Sequence, residues 1–317
     1  MGLRMPSGPG LFPLKRSSLL PFFSCSRRRR PPLFLARSGD WRSIRTQSLP
    51  SFAGLMGSRD GGGRCIEGGQ GYAADIDSIR EAQARIAPYV HKTPVLSSTS
   101  IDAIVGKQLF FKCECFQKAG AFKIRGASNS IFALDDKQAS KGVVTHSSGQ
   151  GTVSLELLEQ VPEIDTIIVP ISGGGLISGV ALAAKAINPS IRILAAEPKG
   201  ADDSAQSKAA GKIITLPSTN TIADGLRAFL GDLTWPVVRD LVDDIIVVDD
   251  DAIVDAMKMC YEILKMAVEP SGAIGLAAAL SDEFKQSCAW HESSKIGIIV
   301  SGGNVDLGVL WESLYKR

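Results

Sequence analysis

The sequence predicts an α/β fold, a mostly parallel twisted sheet covered by helices on both faces. Three observations predict it. Short runs such as Thr166-Ile167-Ile168-Val169-Pro170 and Ile296-Gly297-Ile298-Ile299-Val300 are apolar throughout instead of alternating, as strands buried on both faces must be. Between such runs lie stretches with helical spacing of apolar residues, so strand and helix alternate along the chain. Two strands run directly into glycine loops, Ser172-Gly173-Gly174-Gly175 and Ser301-Gly302-Gly303-Asn304, at the edge where open α/β sheets bind ligands.

Taken in order, folding begins near residue 74. Asp75 and Asp77 place acids at a helix start, Ile76, Ile79, Ala82 and Ile86 share one face, and Pro88 ends the helix. Residues 93–96 form a short extended piece, a helix over 98–105 stops at Gly106, and 108–114 reads as a strand. The stretch 116–127 turns into a helix that runs to about 134. A strand over 142–146 enters Ser147-Ser148-Gly149, and then follow a helix over 152–160, the strand 166–170, a helix over 176–187 and a strand over 191–196. Later elements are helices at 234–241, 251–266 and 271–281, and strands at 245–248 and 296–300. No internal repeat is present.

Composition narrows the function. With 44% hydrophobic and 21% charged residues, the balance is that of a globular protein. Residues 1–58 carry nine Arg and one Lys against Asp40, or +9, so with a net charge of +2 the remainder carries −7. An acidic body argues against nucleic acid as the main ligand. Residues 1–70 are rich in Pro, Arg and Ser and poor in acids, a disordered extension that is either an organelle transit peptide or a leader with no targeting role. The address is then plastid or mitochondrion in the first case and cytoplasm in the second. No stretch reaches membrane-spanning length without charge. The cysteines at 25, 65, 113, 115, 260 and 288 have no disulfide-framework spacing and read as reduced thiols; Cys113 and Cys115 are either packing residues or a metal pair. Of His91, His146 and His291, only His146 lies near a candidate site.

Lys123 is the centre of the chemistry. It sits where a turn becomes a helix, Gly120 and Ala121 let backbone approach a ligand, and a partly desolvated ammonium there would supply a neutral amine able to attack a carbonyl. The alternative is a solvated lysine at a helix start. In the Gly173-Gly174-Gly175-Leu176 loop, consecutive N–H groups and a helix dipole can cradle a phosphate, or the loop is only a tight turn; neither P-loop nor dinucleotide spacing is present. Glu197, the Ala201 carbonyl and Asp203 offer oxygen ligands of the kind Mg²⁺ or Ca²⁺ prefers, or form a solvated acidic loop.

A reactive lysine, a phosphate-cradling loop and a strand-end serine together are what a pyridoxal phosphate enzyme needs. From about residue 74 to the end, the chain resembles the fold-type II pyridoxal phosphate enzymes of the serine racemase and serine/threonine dehydratase family. The resemblance rests on 116–127, 145–149, 151–158, 172–179, 197–203, 221–225, 269–272 and 301–306. It implies racemisation of serine and its β-elimination to pyruvate and ammonia, or a threonine dehydratase specificity. Lys123 would carry the cofactor and act as one base, with Phe122 against the ring, Gly173, Gly174, Gly175 and Leu176 on the phosphate, and Ser301 facing the ring nitrogen. Ser148 would be the base on the opposite face. The resemblance further implies a Mg²⁺ or Ca²⁺ ion on Glu197, Ala201 and Asp203, ATP as an effector near Lys118, Lys265 and Asn304, and a homodimer.

One departure matters. In the family, the strand ending Thr-His-Ser-Ser-Gly opens a small domain that closes over the substrate. Here Ser147-Ser148-Gly149 runs into Gln150-Gly151-Thr152, the element that normally follows that domain, so a block of about 50–100 residues is missing. A shortened isoform from alternative splicing accounts for this most simply. The expectation is a large domain over 74–317 with 142–149 as a small-domain remnant, an exposed sheet edge, and a chain of low activity or a silent subunit that binds intact partners.

Overall fold

The computed structural model describes residues 71–134 and 149–308, all within one compact unit spanning 66–317. The expected strand 142–146, His146, Ser148 and the extension 1–70 lie outside the described residues.

Helix α1 (Ile76–Ile86) begins with a capping box: the Asp75 carboxylate accepts from Ser78 N at 2.8 Å, and Ser78 Oγ accepts from Asp75 N at 3.0 Å. Strand β1 (Val95–Leu96) leads to α2 (Thr99–Val105), capped by Ser98 and closed by Gly106 at φ 83°. Then come β2 (Gln108–Cys113), α3 (Lys123–Phe132), α4 (Thr152–Gln160), β3 (Thr166–Pro170), α5 (Gly175–Ile187), β4 (Arg192–Pro198) and α6 (Asp203–Ala210). The chain continues through α7 (Trp235–Leu241), β5 (Asp244–Val248), α8 (Asp250–Glu262), α9 (Pro270–Leu280), α10 (Asp282–Gln286), α11 (Cys288–Glu292) and β6 (Lys295–Val300).

The six strands pair in the order β1-β2-β6-β3-β4-β5, all parallel except β1 on β2. Alternate strand residues enter two separate cores. Ile168, Leu194 and Ile298 join residues of α2, α8 and α9 on one face, and Ile167, Ile193 and Ile299 join residues of α4, α5 and α7 on the other. Each fully buried isoleucine contributes about 1.5–3 kcal/mol. This double burial explains the uniformly apolar strands.

Four helices depart from the sequence reading. Helix α8 ends at Glu262, short of 266, because Lys265 takes φ 56° and Met266 N reaches back to Cys260 O at 3.0 Å. The sequence reading assigns no element to α6, whose Asp-Ser-Ala-Gln-Ser-Lys-Ala-Ala run has no apolar period. The short helices α10 and α11 escaped as well, although Ser281 and Ser287 cap them.

The topology places the site. The chain passes from β2 to β3 leaving a slot that β6 fills last, so the carboxyl ends of β2, β6 and β3 lie side by side. Those ends continue into the lysine turn, the 301–304 turn and the 172–175 loop. A strand-order reversal of this kind opens a crevice for a ligand.

Candidate active site

The lysine turn and the 301–304 turn are 180 residues apart in sequence and are zipped together in space. Phe122 N donates to Ser301 O at 3.0 Å, Gly303 N donates to Gly120 O at 2.9 Å, and Ala121 and Gly302 form an antiparallel bridge. Gly120 has φ 71°, and a Cβ there would lie 2.2 Å from Asn304 Oδ1. Its bare backbone therefore accommodates Asn304 and not, as expected, a ligand.

The zipper carries Phe122, Lys123 and Ser301 to one cavity of about 240 Å³, which is also lined by Gln150, Gly173, Gly174, Gly175, Leu176 and Gly225. Lys123 Nζ stands 4.8 Å from the Phe122 ring centroid. Its side chain is exposed, so the expected partial desolvation is absent among the described residues. Burial pushes the Glu269 carboxyl above its ordinary pKa, while the charge of Lys123 pulls it down. Ser301 is buried at the end of β6, with Oγ 3.2 Å from the Ser271 carbonyl.

Gly174 holds φ 82° immediately before α5, and Gly174, Gly175 and Leu176, at the helix start where N–H groups have no intrahelical partner, line the cavity. The Gln150 carboxamide oxygen is buried there without a partner, and since amide O and N exchange by a flip, this end can equally present a donor. An anion at the helix N-terminus satisfies both observations. The residues thus fit a phosphate-bearing ring cofactor, with Lys123 as its covalent attachment.

Behind Lys123, Arg125 is fully buried and bridges Glu114 and Glu156 by four bonds of 2.7–2.9 Å, and Lys112 Nζ lies 2.8 Å from Glu156. This cluster ties α3 to β2 and α4. Charged residues at 112, in β2, and at 114, just past its end, were its trace in the sequence.

Glu197 and Asp203 are both buried. Glu197 accepts from Ser204 N at 2.9 Å and Ala205 N at 2.8 Å, and Asp203 accepts from Leu230 N at 3.2 Å. Burial pushes Glu197 up to about 7 and raises Asp203 as well. No ion pair with a basic side chain serves either carboxylate among the described residues. With the carbonyl of the buried Ala201, they are oxygen donors of the type a hard cation takes, although no group of three or more His, Cys, Asp or Glu side chains able to hold a metal ion is found among the described residues. Asn304 Nδ2 donates to Ala119 O at 2.9 Å, which places it on the turn that holds Lys118, whereas Lys265 Nζ caps its own helix at Glu262 O. Cys113 is buried and Cys115 partly so.

A lysine, a helix-end anion cradle and a serine at adjacent strand ends are the set of groups that a pyridoxal phosphate enzyme of fold type II needs. The family model described as pyridoxal-phosphate dependent enzyme matches residues 86–155 and 148–302, and the chain belongs to that family. Within it the similarity is to serine racemases. A serine racemase of Oryza sativa subsp. indica is 72% identical, with 83% of this chain and 100% of the relative covered. One from Arabidopsis thaliana is 54% identical, covering 76% and 96%. The solved structure of maize serine racemase superposes with a TM-score of 0.74 at 72% identity, covering 77% of this chain and 98% of that one.

Proposed function

We propose that the chain is a pyridoxal phosphate-dependent serine racemase and dehydratase, acting on L-serine to give D-serine or, by β-elimination, pyruvate and ammonia. The observation that carries this reading is the meeting of Lys123, the 173–175 loop and Ser301 on one cavity, in a chain 72% identical to a serine racemase. When bound, the cofactor serves as an electron sink that acidifies the α-proton of an amino acid. Lys123 Nζ would hold it covalently in the resting state and, once released as the free amine, would move that proton on one face. The N–H groups at the start of α5 would bind its phosphate, Phe122 would pack on its ring, and the Ser301 hydroxyl would serve the ring nitrogen without adding charge. Ser148 is the base on the opposite face. Glu197, the Ala201 carbonyl and Asp203 would hold Mg²⁺ or Ca²⁺. Lys118, Lys265 and Asn304 are the residues for ATP, at the interface of a homodimer.

The shortened small domain belongs to the same reading. The rice alignment runs over 339 positions, while 83% of the 317 residues here is about 263, so about 76 positions of the relative have no counterpart. The two family-model segments meet at 148–155, where Ser148 passes into Gln150 and Gly151. A block lost at that junction removes the wall opposite Lys123, which accords with the exposure of its side chain. Displacing a catalytic group by about 1 Å can cost about 10²-fold in rate. The chain therefore binds cofactor but turns over slowly, and a role as a silent subunit of intact partners follows from the same gap.

The test is chiral amino acid analysis and a pyruvate assay on the full chain with pyridoxal phosphate and L-serine, beside the rice relative. The expected result is turnover reduced by about 10²-fold or more, with recovery on mixing if the chain acts as a partner subunit. Turnover equal to that of the rice enzyme would show that the missing block is dispensable. Cofactor that fails to bind would overturn the assignment.

A further inference from the structure

The phosphate loop is held from outside by one hydroxyl. Thr234 Oγ1, immediately before α7, lies 2.8 Å from Gly173 O and 3.0 Å from Gly231 O, and accepts from Gly231 N at 3.1 Å. A hydroxyl has one proton to give. The Gly231 carbonyl already accepts from Thr234 N at 3.0 Å and Trp235 N at 2.9 Å, which uses both of its lone pairs. Gly173 stands one residue before the first helical bond of α5, Ser178 N to Gly174 O, so its carbonyl precedes the helix ladder. The proton therefore goes to Gly173 O, where it fixes the peptide whose N–H belongs to Gly174. Thr234 also packs on that glycine, since a Cβ at Gly174 would lie 2.7 Å from Thr234 Oγ1.

The segment that presents Thr234 is anchored at two further points. Ala228 N and O both bond Ser172 Oγ at 3.0 Å, and Leu230 N donates to Asp203 Oδ2 at 3.2 Å. Residues 228–234 are thus a strap, bound at both ends to the phosphate loop and in the middle to the buried carboxylate pair. Whatever fixes Asp203 fixes the strap.

We propose that Thr234 is a positioning residue that holds the phosphate loop and, through the 228–234 strap, makes the affinity for the cofactor's phosphate depend on a divalent cation at Glu197 and Asp203. This rests on the cofactor and cation reading given above. Because such coupling is reciprocal, the cation also binds more tightly when the phosphate site is filled.

The experiment compares pyridoxal phosphate with pyridoxal, which lacks the phosphate but keeps the aldehyde for Lys123. The full chain, stripped of cofactor, is titrated with each by absorption, in manganese chloride or in chelator. Unmodified protein is expected to bind pyridoxal phosphate several-fold more tightly with Mn²⁺, and pyridoxal equally in both. Thr234→Val removes the hydroxyl and leaves the Gly173 carbonyl unserved, so it should weaken pyridoxal phosphate about tenfold, leave pyridoxal unchanged and abolish the Mn²⁺ effect. Thr234→Ser should restore all three. Asp203→Asn, with Thr234 intact, should bind pyridoxal phosphate at the cation-free affinity in either buffer. The inference fails if Thr234→Val binds pyridoxal phosphate normally, if both ligands weaken together, or if the Mn²⁺ effect survives in Thr234→Val or Asp203→Asn. It also fails if the unmodified protein shows no Mn²⁺ effect. Absence of binding by the unmodified protein to either ligand would instead overturn the cofactor reading, and this inference with it.

Discussion

Replacing Arg125 by Met tests how the lysine helix is held. Arg125 and Lys112 balance Glu114 and Glu156 in a buried set of two positive and two negative side chains. The substitution keeps the volume roughly but leaves one excess negative charge, with Thr93 Oγ1, at 2.6 Å, the remaining side-chain donor to Glu114 among the described residues. Breaking a buried pair by removing one partner costs about 3–5 kcal/mol, a large share of the 5–15 kcal/mol by which domains are usually stable. For a unit of this size the melting temperature should fall by about 6–20 °C. Burial pushes the Glu156 pKa up, but Arg125 and Lys112 outweigh it and hold the carboxyl below its ordinary range. A depressed carboxylate stabilises above its unfolded pKa, about 4.3, and loses that contribution as pH falls through the folded value. The deficit of Arg125→Met should therefore be largest near neutrality and shrink below about pH 4. Urea unfolding followed by circular dichroism at several pH values measures this. Adding Glu156→Met restores the charge balance and should recover about 1 kcal/mol or more. A loss under about 1 kcal/mol at neutral pH, or an equal loss at all pH values, would refute the reasoning.

The other predictions concern the two ligand sites. Gly174→Ala places a side chain at φ 82° and a Cβ 2.7 Å from Thr234 Oγ1, whereas at Gly173 the nearest atom is Phe229 O at 3.3 Å. The left-handed backbone alone costs about 1–2 kcal/mol, so in equilibrium dialysis Gly174→Ala should lose more pyridoxal phosphate affinity than Gly173→Ala. Divalent cation should raise the melting temperature of the unmodified chain by binding the native state. The Glu197→Gln variant should show no such rise in differential scanning fluorimetry.

The strands were legible because burial on both faces leaves an unbroken apolar run, and Gly106 marked the end of α2 because only glycine takes φ 83° without cost. Lys265 ends α8 at φ 56° with no glycine to announce it. Lys123, the 173–175 loop and Ser301 were visible one by one as strand-end motifs. Their meeting was not, because it depends on β6 entering the slot between β2 and β3 and on the bonds that zip 120–122 to 301–303. The Arg125 cluster was hidden for a different reason: Lys112, Glu114, Arg125 and Glu156 lie far apart in sequence, and no spacing pairs their charges. Thr234 was one hydroxyl among many, and only the fold sets it against Gly173. The family resemblance supplied what periodicity did not, since 142–146, 152–160 and 166–170 read by themselves as an unbroken βαβ unit.

The central claim is that Lys123 carries pyridoxal phosphate at this cavity, and the most direct measurement is to trap it there. The full chain is incubated with pyridoxal phosphate, reduced with borohydride, digested and mapped by mass spectrometry, with Lys123→Ala in parallel. A phosphopyridoxyl label is expected on Lys123 at near-stoichiometric yield, and none at equivalent yield elsewhere in the variant. A label spread over surface lysines, or unchanged in total yield when Lys123 is replaced, would contradict it.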